Sequence, residues 1–475
     1  MASRAFSILI ILLSAIVASE AAGSVGINYG RVANNLPSPD KVVQLLKSQG
    51  VTKVKIFDTD PAVLSALANS GISVVVCLPN EQLASAAGDQ SFADSWVQAN
   101  VAEYYPATKI EAIAVGNEII AASVTDETKV LVPAMKAIQA SLVKSKLDSN
   151  IKVSSPIALS CLGSSYPASA GSFQPALVDA AIRPMLDFLR QTGSYLMVNV
   201  YPFYAYKDNS NQISLDYALF KENPGVVDSG NGVKYTSLFE AQLDAVFAAM
   251  SALEYDDMKV VVTETGWPSA GDEAETGASL ANAAAYNGNL VRRVLTGNGT
   301  PLRPKDPLNV YIFALFNENQ KTGPTSERNY GLFYPDMQRV YNIPLSQQGL
   351  NSNLATATNN GRSGNKSPSA NNATGGVSKK TMVGRTWCLA NPKADRREVQ
   401  AGLDYACGEG GADCEPIQSD GACFNPNSLV AHASYAFNSY YQKKARVSGS
   451  CDFAGAAYVS MQPPPFGSCK YPTGH

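Results

Sequence analysis

Between residues 24 and 345, short runs of consecutive apolar residues alternate with segments of helical period. The runs are SVGINYG (24–30), VTKVKIFD (51–58), ISVVVCLP (72–79), IEAIAVGNE (110–118), IKVSSPIA (151–158), YLMVNVYPF (195–203), KVVVTETGW (259–267) and NVYIFALFNE (309–318). They are rich in Val and Ile and nearly unbroken in polarity, the pattern of parallel strands covered by helices on both faces. LFEAQLDAVFAAMSAL (238–253) represents the segments between them. Its Phe239, Leu243, Val246, Phe247, Met250 and Leu253 fall on one helical face. Eight such β/α units in one region predict a (β/α)₈ barrel. A doubly wound open sheet would alternate in the same way, but no Gly-rich phosphate loop follows the first run.

The pattern stops at residue 346. Residues 346–384 are rich in Asn, Ser, Gly, Ala and Thr and hold no aromatic residue, which predicts a flexible linker spanning roughly 35 Å. Beyond it, Cys388, Cys407, Cys414, Cys423, Cys451 and Cys469 crowd into a short stretch, whereas Cys77 and Cys161 stand alone upstream. An even set at this density reads as a disulfide framework. Metal binding is the competing reading. It is disfavoured because His432 and His475 are the chain's two histidines and no CxxC spacing occurs. Val430, Ala433, Phe437, Tyr440 and Tyr441 recur at helical spacing, as the core of a small domain or as its ligand face. Four segments follow: 1–23, 24–345, 346–384 and 385–475.

Segment 1–23 fixes the expected compartment. A basic start (MASR), an apolar stretch (AFSILIILLSAIVA) and small residues (SEAAGS) form a signal peptide cleaved near Gly23, with an N-terminal anchor as the alternative. The chain is then expected outside the cell, in the extracellular space or cell wall, as a monomer without a membrane anchor. Asn298, Asn365 and Asn372 lie in N-x-S/T sequons and become candidate glycosylation sites. A net charge of −3 and a pI of about 5.6 give no polyanion-binding surface, so nucleic acid is not an expected partner.

Two apolar runs end in an acid: Glu118 closes AIAVGNE and Glu264 closes VVVTE. A carboxylate at the end of a buried strand is costly unless it is paired or used. In a barrel both acids would share the rim at the C-terminal strand ends, where function resides. A carboxyl pair flanking a bound molecule is the constellation of glycoside hydrolysis. A serine hydrolase needs a histidine base, and a zinc hydrolase needs histidine ligands; both histidines lie outside the barrel region. No cofactor is called for. Tyr29, Tyr201, Phe203, Trp267 and Phe316 fall near the same strand ends, where their rings would stack on sugar faces or fill the core. Asn117 and Asn199 would bond sugar hydroxyls.

VVVTETGWPSAG resembles the signature of glycoside hydrolase family 17, the plant endo-β-1,3-glucanases and their β-1,3-1,4 relatives. GINYGRVANNLP, AVGNE, VNVYPFYAY and IFALFNENQKTGPTSERNYGLFYPD fit the same family in the same order, across nearly all of 24–345. The resemblance implies a retaining hydrolase of β-1,3-glucan with Glu264 as nucleophile and Glu118 as acid/base. It also implies that Glu318, Lys321 and Glu327 support the nucleophile side of the cleft. The tail, from TWCLANPKADRREVQ to SYYQ, is similar to the plant X8 module, carbohydrate-binding module family 43, which binds β-1,3-glucan. That resemblance implies the pairs Cys388–Cys451, Cys407–Cys414 and Cys423–Cys469; the sequence alone permits fifteen pairings. A glucan-binding wall protein on a hydrolase fold, a β-1,3-1,4-glucanase and a transglycosylase remain as alternative functions.

Overall fold

The computed structural model describes residues 23–297, 299–351, 386–391, 394–444, 450, 451, 453, 456–460, 464 and 469–473. Residues 1–22 of the expected signal peptide, most of the expected linker, and Asn298, Asn365 and Asn372 lie outside the described residues. The chain divides into two compact units, Met1–Ala355 and Thr356–His475.

In the first unit the apolar runs become the strands of one parallel sheet. They are β1 (Ser24–Tyr29), β2 (Lys53–Ile56), β3 (Ser73–Leu78), β4 (Lys109–Val115), β5 (Lys152–Ser154), β6 (Pro156–Ala158), β7 (Leu196–Asn199), β8 (Val260–Thr265) and β9 (Asn309–Ile312). Their order in the sheet is β5-β4-β3-β2-β1-β9-β8-β7-β6. The run 151–158 supplies both ends of that order, because it is interrupted at Ser155. Its first half pairs with β4 and its second half with β7. The sheet therefore closes through a single broken strand, and the architecture is that of a (β/α)₈ barrel.

Side chains pack the wall from both faces. Val54, Ile56, Val74, Val76, Ile113 and Val262 join one large cluster with the surrounding helices, among them α1 (Leu238–Ser251) and α2 (Leu280–Leu295). In α1, Phe239, Leu243, Val246, Phe247 and Met250 are buried as the period predicts, and Leu253 packs against them just past the helix end. Asp244 of α1 is also buried and accepts from the Leu302 N–H at 2.9 Å. Cys77 and Cys161 are buried free thiols. Residues 347–351, assigned by composition to the linker, form a helical turn of this unit, anchored by buried Leu350. The Leu350 N–H donates to the Ser346 carbonyl and the Gly349 N–H to the Ser346 hydroxyl within this turn.

The second unit packs helices α3 (Arg396–Cys407) and α4 (Leu429–Lys443) with an antiparallel pair, β10 (Trp387–Ala390) and β11 (Ala457–Ser460). The helical face of α4 is divided: Ala433, Phe437 and Tyr441 are core, whereas Val430 and Tyr440 are half-buried against it. At Gly402 in α3 an added Cβ would sit 2.8 Å from the Phe437 ring, so glycine permits the two helices their close approach. Disulfides join Cys388 to Cys451, Cys407 to Cys414 and Cys423 to Cys469. No helix among the described residues is long and apolar enough to cross a membrane.

Candidate active site

Glu264 sits one residue before the end of β8, almost fully buried. The strand slips register against β7 between Val262 and Glu264, a bulge that re-aims the side chains beyond it. Both carboxylate oxygens are engaged. Lys55 Nζ donates to Oε1 at 2.8 Å and the Tyr201 hydroxyl donates to Oε2 at 2.9 Å. Burial, with the adjacent Glu264 charge, pushes the Tyr201 hydroxyl well above its ordinary range, so it stays a donor.

Glu118 is not on its strand. It lies three residues past the end of β4 with φ of +56°, in a loop that Gly116 enters at φ +68°. The chain there is pinned from two sides. The Asn80 amide both accepts from the Asn117 N–H (2.8 Å) and donates to the Asn117 carbonyl (3.2 Å), and the Glu118 N–H donates to the Pro156 carbonyl. Asn199, the last residue of β7, donates to Glu118 Oε1 at 2.9 Å. Its side-chain amide oxygen, Oδ1, accepts from the Thr263 hydroxyl at 2.9 Å. Burial first, then the neighbouring Glu264 charge, raises the Glu118 carboxyl above the ordinary carboxylate value; Asn199 and Lys55 oppose that rise. One carboxyl is thus biased toward its acid form beside another that is held by two donors.

A third layer lies on the side of β9. Buried Glu318 accepts from the Val32 N–H at 2.8 Å and stands 4.0 Å from Lys321 Nζ. Lys321 also reaches Glu327 at 3.5 Å, and the Tyr204 hydroxyl donates to Glu327 at 2.6 Å. Glu118, Glu264, Glu318, Lys321, Glu327, Asn117, Asn199 and Tyr201 all line one cavity of about 960 Å³. Among the described residues no group of three or more His, Cys, Asp or Glu could hold a metal ion.

Comparison with known proteins gives the family. Residues 25–345 match the family model described as glycosyl hydrolases family 17. The chain belongs to that family. Residues 386–458 match the X8 domain. Glucan endo-1,3-beta-glucosidase 7 of Arabidopsis thaliana is 42% identical over 464 residues, covering 98% of this chain and 87% of the relative. Glucan endo-1,3-beta-D-glucosidase of Olea europaea is 38% identical over 465 residues, covering 98% and 96%. Among solved structures, CJP38, a beta-1,3-glucanase and allergen of Cryptomeria japonica pollen, superposes with a TM-score of 0.65 at 44% identity, covering 68% of this chain and 99% of that one.

This family 17 glycoside hydrolase does not bring every sequence-predicted ring to its cleft. Tyr201 lines the cavity, but Tyr29, Phe203, Trp267 and Phe316 are buried behind it. Phe203 packs edge-on against Trp267 with centroids 5.3 Å apart, and Tyr29 against Phe316 at 6.2 Å. Trp267 spends its indole N–H on the Gly277 carbonyl at 2.9 Å. For Phe203, Trp267 and Phe316 the physical reason is phase. Strand alternation ends with the strand, and β7 and β9 stop at Asn199 and Ile312, before Phe203 and Phe316. Phe203 lies in a helix beginning at Pro202. The rings that do face the cavity beside Tyr201 are Phe57, Tyr204, Phe313 and Tyr330. Sequence reasoning also missed Asn80 and Lys55. Lys55 carried a readable signal: a cation in the middle of a run otherwise typical of a strand buried on both faces.

Proposed function

We propose that the chain is a secreted endo-glucanase that hydrolyses internal β-1,3-glucosidic bonds with retention of configuration. The observation that carries this reading is the unequal treatment of two carboxyls in one cleft. Glu264 receives a lysine and a tyrosine donor, whereas burial and the Glu264 charge bias Glu118 toward its protonated form. In the first step the Glu264 carboxylate attacks the anomeric carbon as Glu118 gives its proton to the departing glycosidic oxygen, leaving a covalent glycosyl-enzyme. In the second step Glu118, now ionised and still bonded by Asn199, takes a proton from the incoming water, and Glu264 leaves. A sugar hydroxyl in place of that water would give transfer. Tyr201 and Tyr204, the half-buried tyrosines of the cavity wall, supply aromatic surface for the sugars.

The activity named for the Arabidopsis and olive relatives supports the β-1,3 linkage and a glucan partner for the X8 unit. Three disulfides and the apolar N-terminal stretch support export to the extracellular space or cell wall. The test is proton NMR of the first products from laminarin and from mixed-linkage barley glucan. β-Anomers from laminarin, appearing before mutarotation, agree with the proposal. First-formed α-anomers would refute retention, and equal or faster cleavage of the mixed-linkage polymer would move the specificity.

A further inference from the structure

Lys55 has a fully buried side chain. A buried ammonium is expensive, and a whole buried ion pair can often be replaced by apolar residues of similar volume at no loss of stability, whereas removing one partner leaves the other charge uncompensated. The charge is therefore kept against the interest of packing, and its contacts indicate why. Nζ lies 2.8 Å from Glu264 Oε1, 3.3 Å from Asn117 Oδ1 and 3.9 Å from the centroid of the Phe57 ring. An ammonium can only donate. The Asn117 amide must therefore turn its oxygen inward, which leaves its N–H groups for the cavity that Asn117 lines. The Asn117 backbone is already clasped by Asn80, so the sense of the side-chain amide is the freedom left for Lys55 to decide.

The geometry points to Lys55 as a positioning residue with two outputs: it orients and counter-charges the Glu264 carboxylate, and it sets Asn117 to present donors to a sugar hydroxyl over that carboxylate. The inference rests on the reading of Glu264 as nucleophile. Through it, one buried cation on β2 couples attack on the anomeric carbon to recognition of the sugar being attacked. Other groups that bear on Glu264 include Tyr201, Glu118, Glu318 and Cys77. Glu118 and Glu318 are carboxyls, and the other cations of the cavity are engaged elsewhere: Lys321 stands against Glu318 at 4.0 Å and Glu327 at 3.5 Å, and Arg31 pairs with Asp58 and Asp60. Without Lys55, Glu264 would face them with no positive partner in contact. The acid limb of kcat/KM, which follows ionisation of the nucleophile, would then move to higher pH.

The test compares wild type, Lys55→Met, Asn117→Leu and Glu264→Gln by pH-rate profiles on laminarin and by thermal unfolding. Lys55→Met is expected to lose about a hundredfold in kcat/KM and to raise the acid limb by about one pH unit or more. Asn117→Leu is expected to lower kcat/KM with the acid limb in place, since its Lys55–Glu264 pair is intact. A folded Lys55→Met with an unmoved acid limb overturns the inference. If Lys55→Met does not fold, the Lys55→Met/Glu264→Gln double variant decides. Recovered folding in the double variant shows that the ammonium answers the Glu264 charge, whereas a double variant that is equally unstable makes Lys55 a packing residue and overturns the inference. Glu264→Gln separates the two claims: an active Glu264→Gln refutes the nucleophile itself, whatever Lys55 does.

Discussion

The barrel unit holds a continuous core of strands and helices and leaves its two thiols, Cys77 and Cys161, unbridged. The X8 unit has a far smaller core, centred on Phe437, Val399 and Tyr441, and commits six cysteines to bridges that close separations of 63, 7 and 46 residues. Surface-to-volume scaling explains the difference. A large domain buries enough apolar area to offset chain entropy, whereas a small one needs covalent help. The barrel can therefore afford buried charge: Lys55, Glu264 and Glu318 all sit inside it. Chemistry is concentrated where the core is large enough to tolerate polar expense.

The most severe challenge to that division of labour is removal of either acid. Glu264→Gln and Glu118→Gln are each expected to lower kcat at least about a thousandfold on soluble laminarin, because the proposed mechanism uses both carboxyls in each step. Azide should rescue the Glu264 variant to a product of inverted configuration. Near-normal turnover in either variant would remove that residue from the mechanism.

Reduction should divide the chain at the level of stability. Each bridge contributes about 2–5 kcal/mol in small secreted domains. Dithiothreitol should therefore abolish the folded signal of an isolated 386–475 fragment, while a 24–351 fragment keeps its unfolding transition. Loss of the barrel transition under the same conditions would mean that the two units do not fold separately.

Deleting residues 352–475 should leave cleavage of short soluble oligosaccharides nearly unchanged. It should slow release of sugar from insoluble β-1,3-glucan by about tenfold, since a tethered binder raises local substrate concentration without touching the reaction. Equal losses on both substrates would assign the tail to the catalytic fold.

The smallest effect concerns acid within the barrel. Burial pushes the Asp244 carboxyl from its ordinary value to about 6. The folded state thus holds that proton more tightly than the unfolded chain. Its stabilising contribution is complete below about 4 and is lost as pH rises through about 6. Asp244→Asn should therefore gain on wild type by about 2 kcal/mol at pH 7.5 relative to pH 4, as read by denaturant unfolding of the barrel. A pH-independent difference would show that Asp244 titrates alike in both states.

Much of the barrel was legible because parallel strands buried on both faces leave unbroken apolar runs, and all eight runs contain strand residues of the closed sheet. The break at Ser155 was not legible, since IKVSSPIA reads as one run and pairing on two sides is a tertiary matter. Glu118 and Glu264 were visible as acids at the ends of such runs. Of the cavity aromatics Tyr201 was legible; Tyr204 and Tyr330 were not, because they lie beyond the last strand residue before them, where no period constrains which way a side chain points. In α4 the period found the Ala433, Phe437 and Tyr441 face, while the half-burial of Tyr440 and Val430 depends on what packs beside the helix.

The left-handed backbone of Glu118 bears on how this protein would respond to selection. A non-glycine residue at φ +56° costs roughly 1–2 kcal/mol that glycine would largely avoid and asparagine would reduce. The position chosen for the acid is thus one that the fold would rather give to a different residue. A library screened for heat resistance alone, with no demand for turnover, would drift toward Glu118→Gly or Glu118→Asn and return robust, inert barrels. Activity would have to be selected in the same round, because the role proposed for Glu118 makes durability and catalysis rival traits at this one residue.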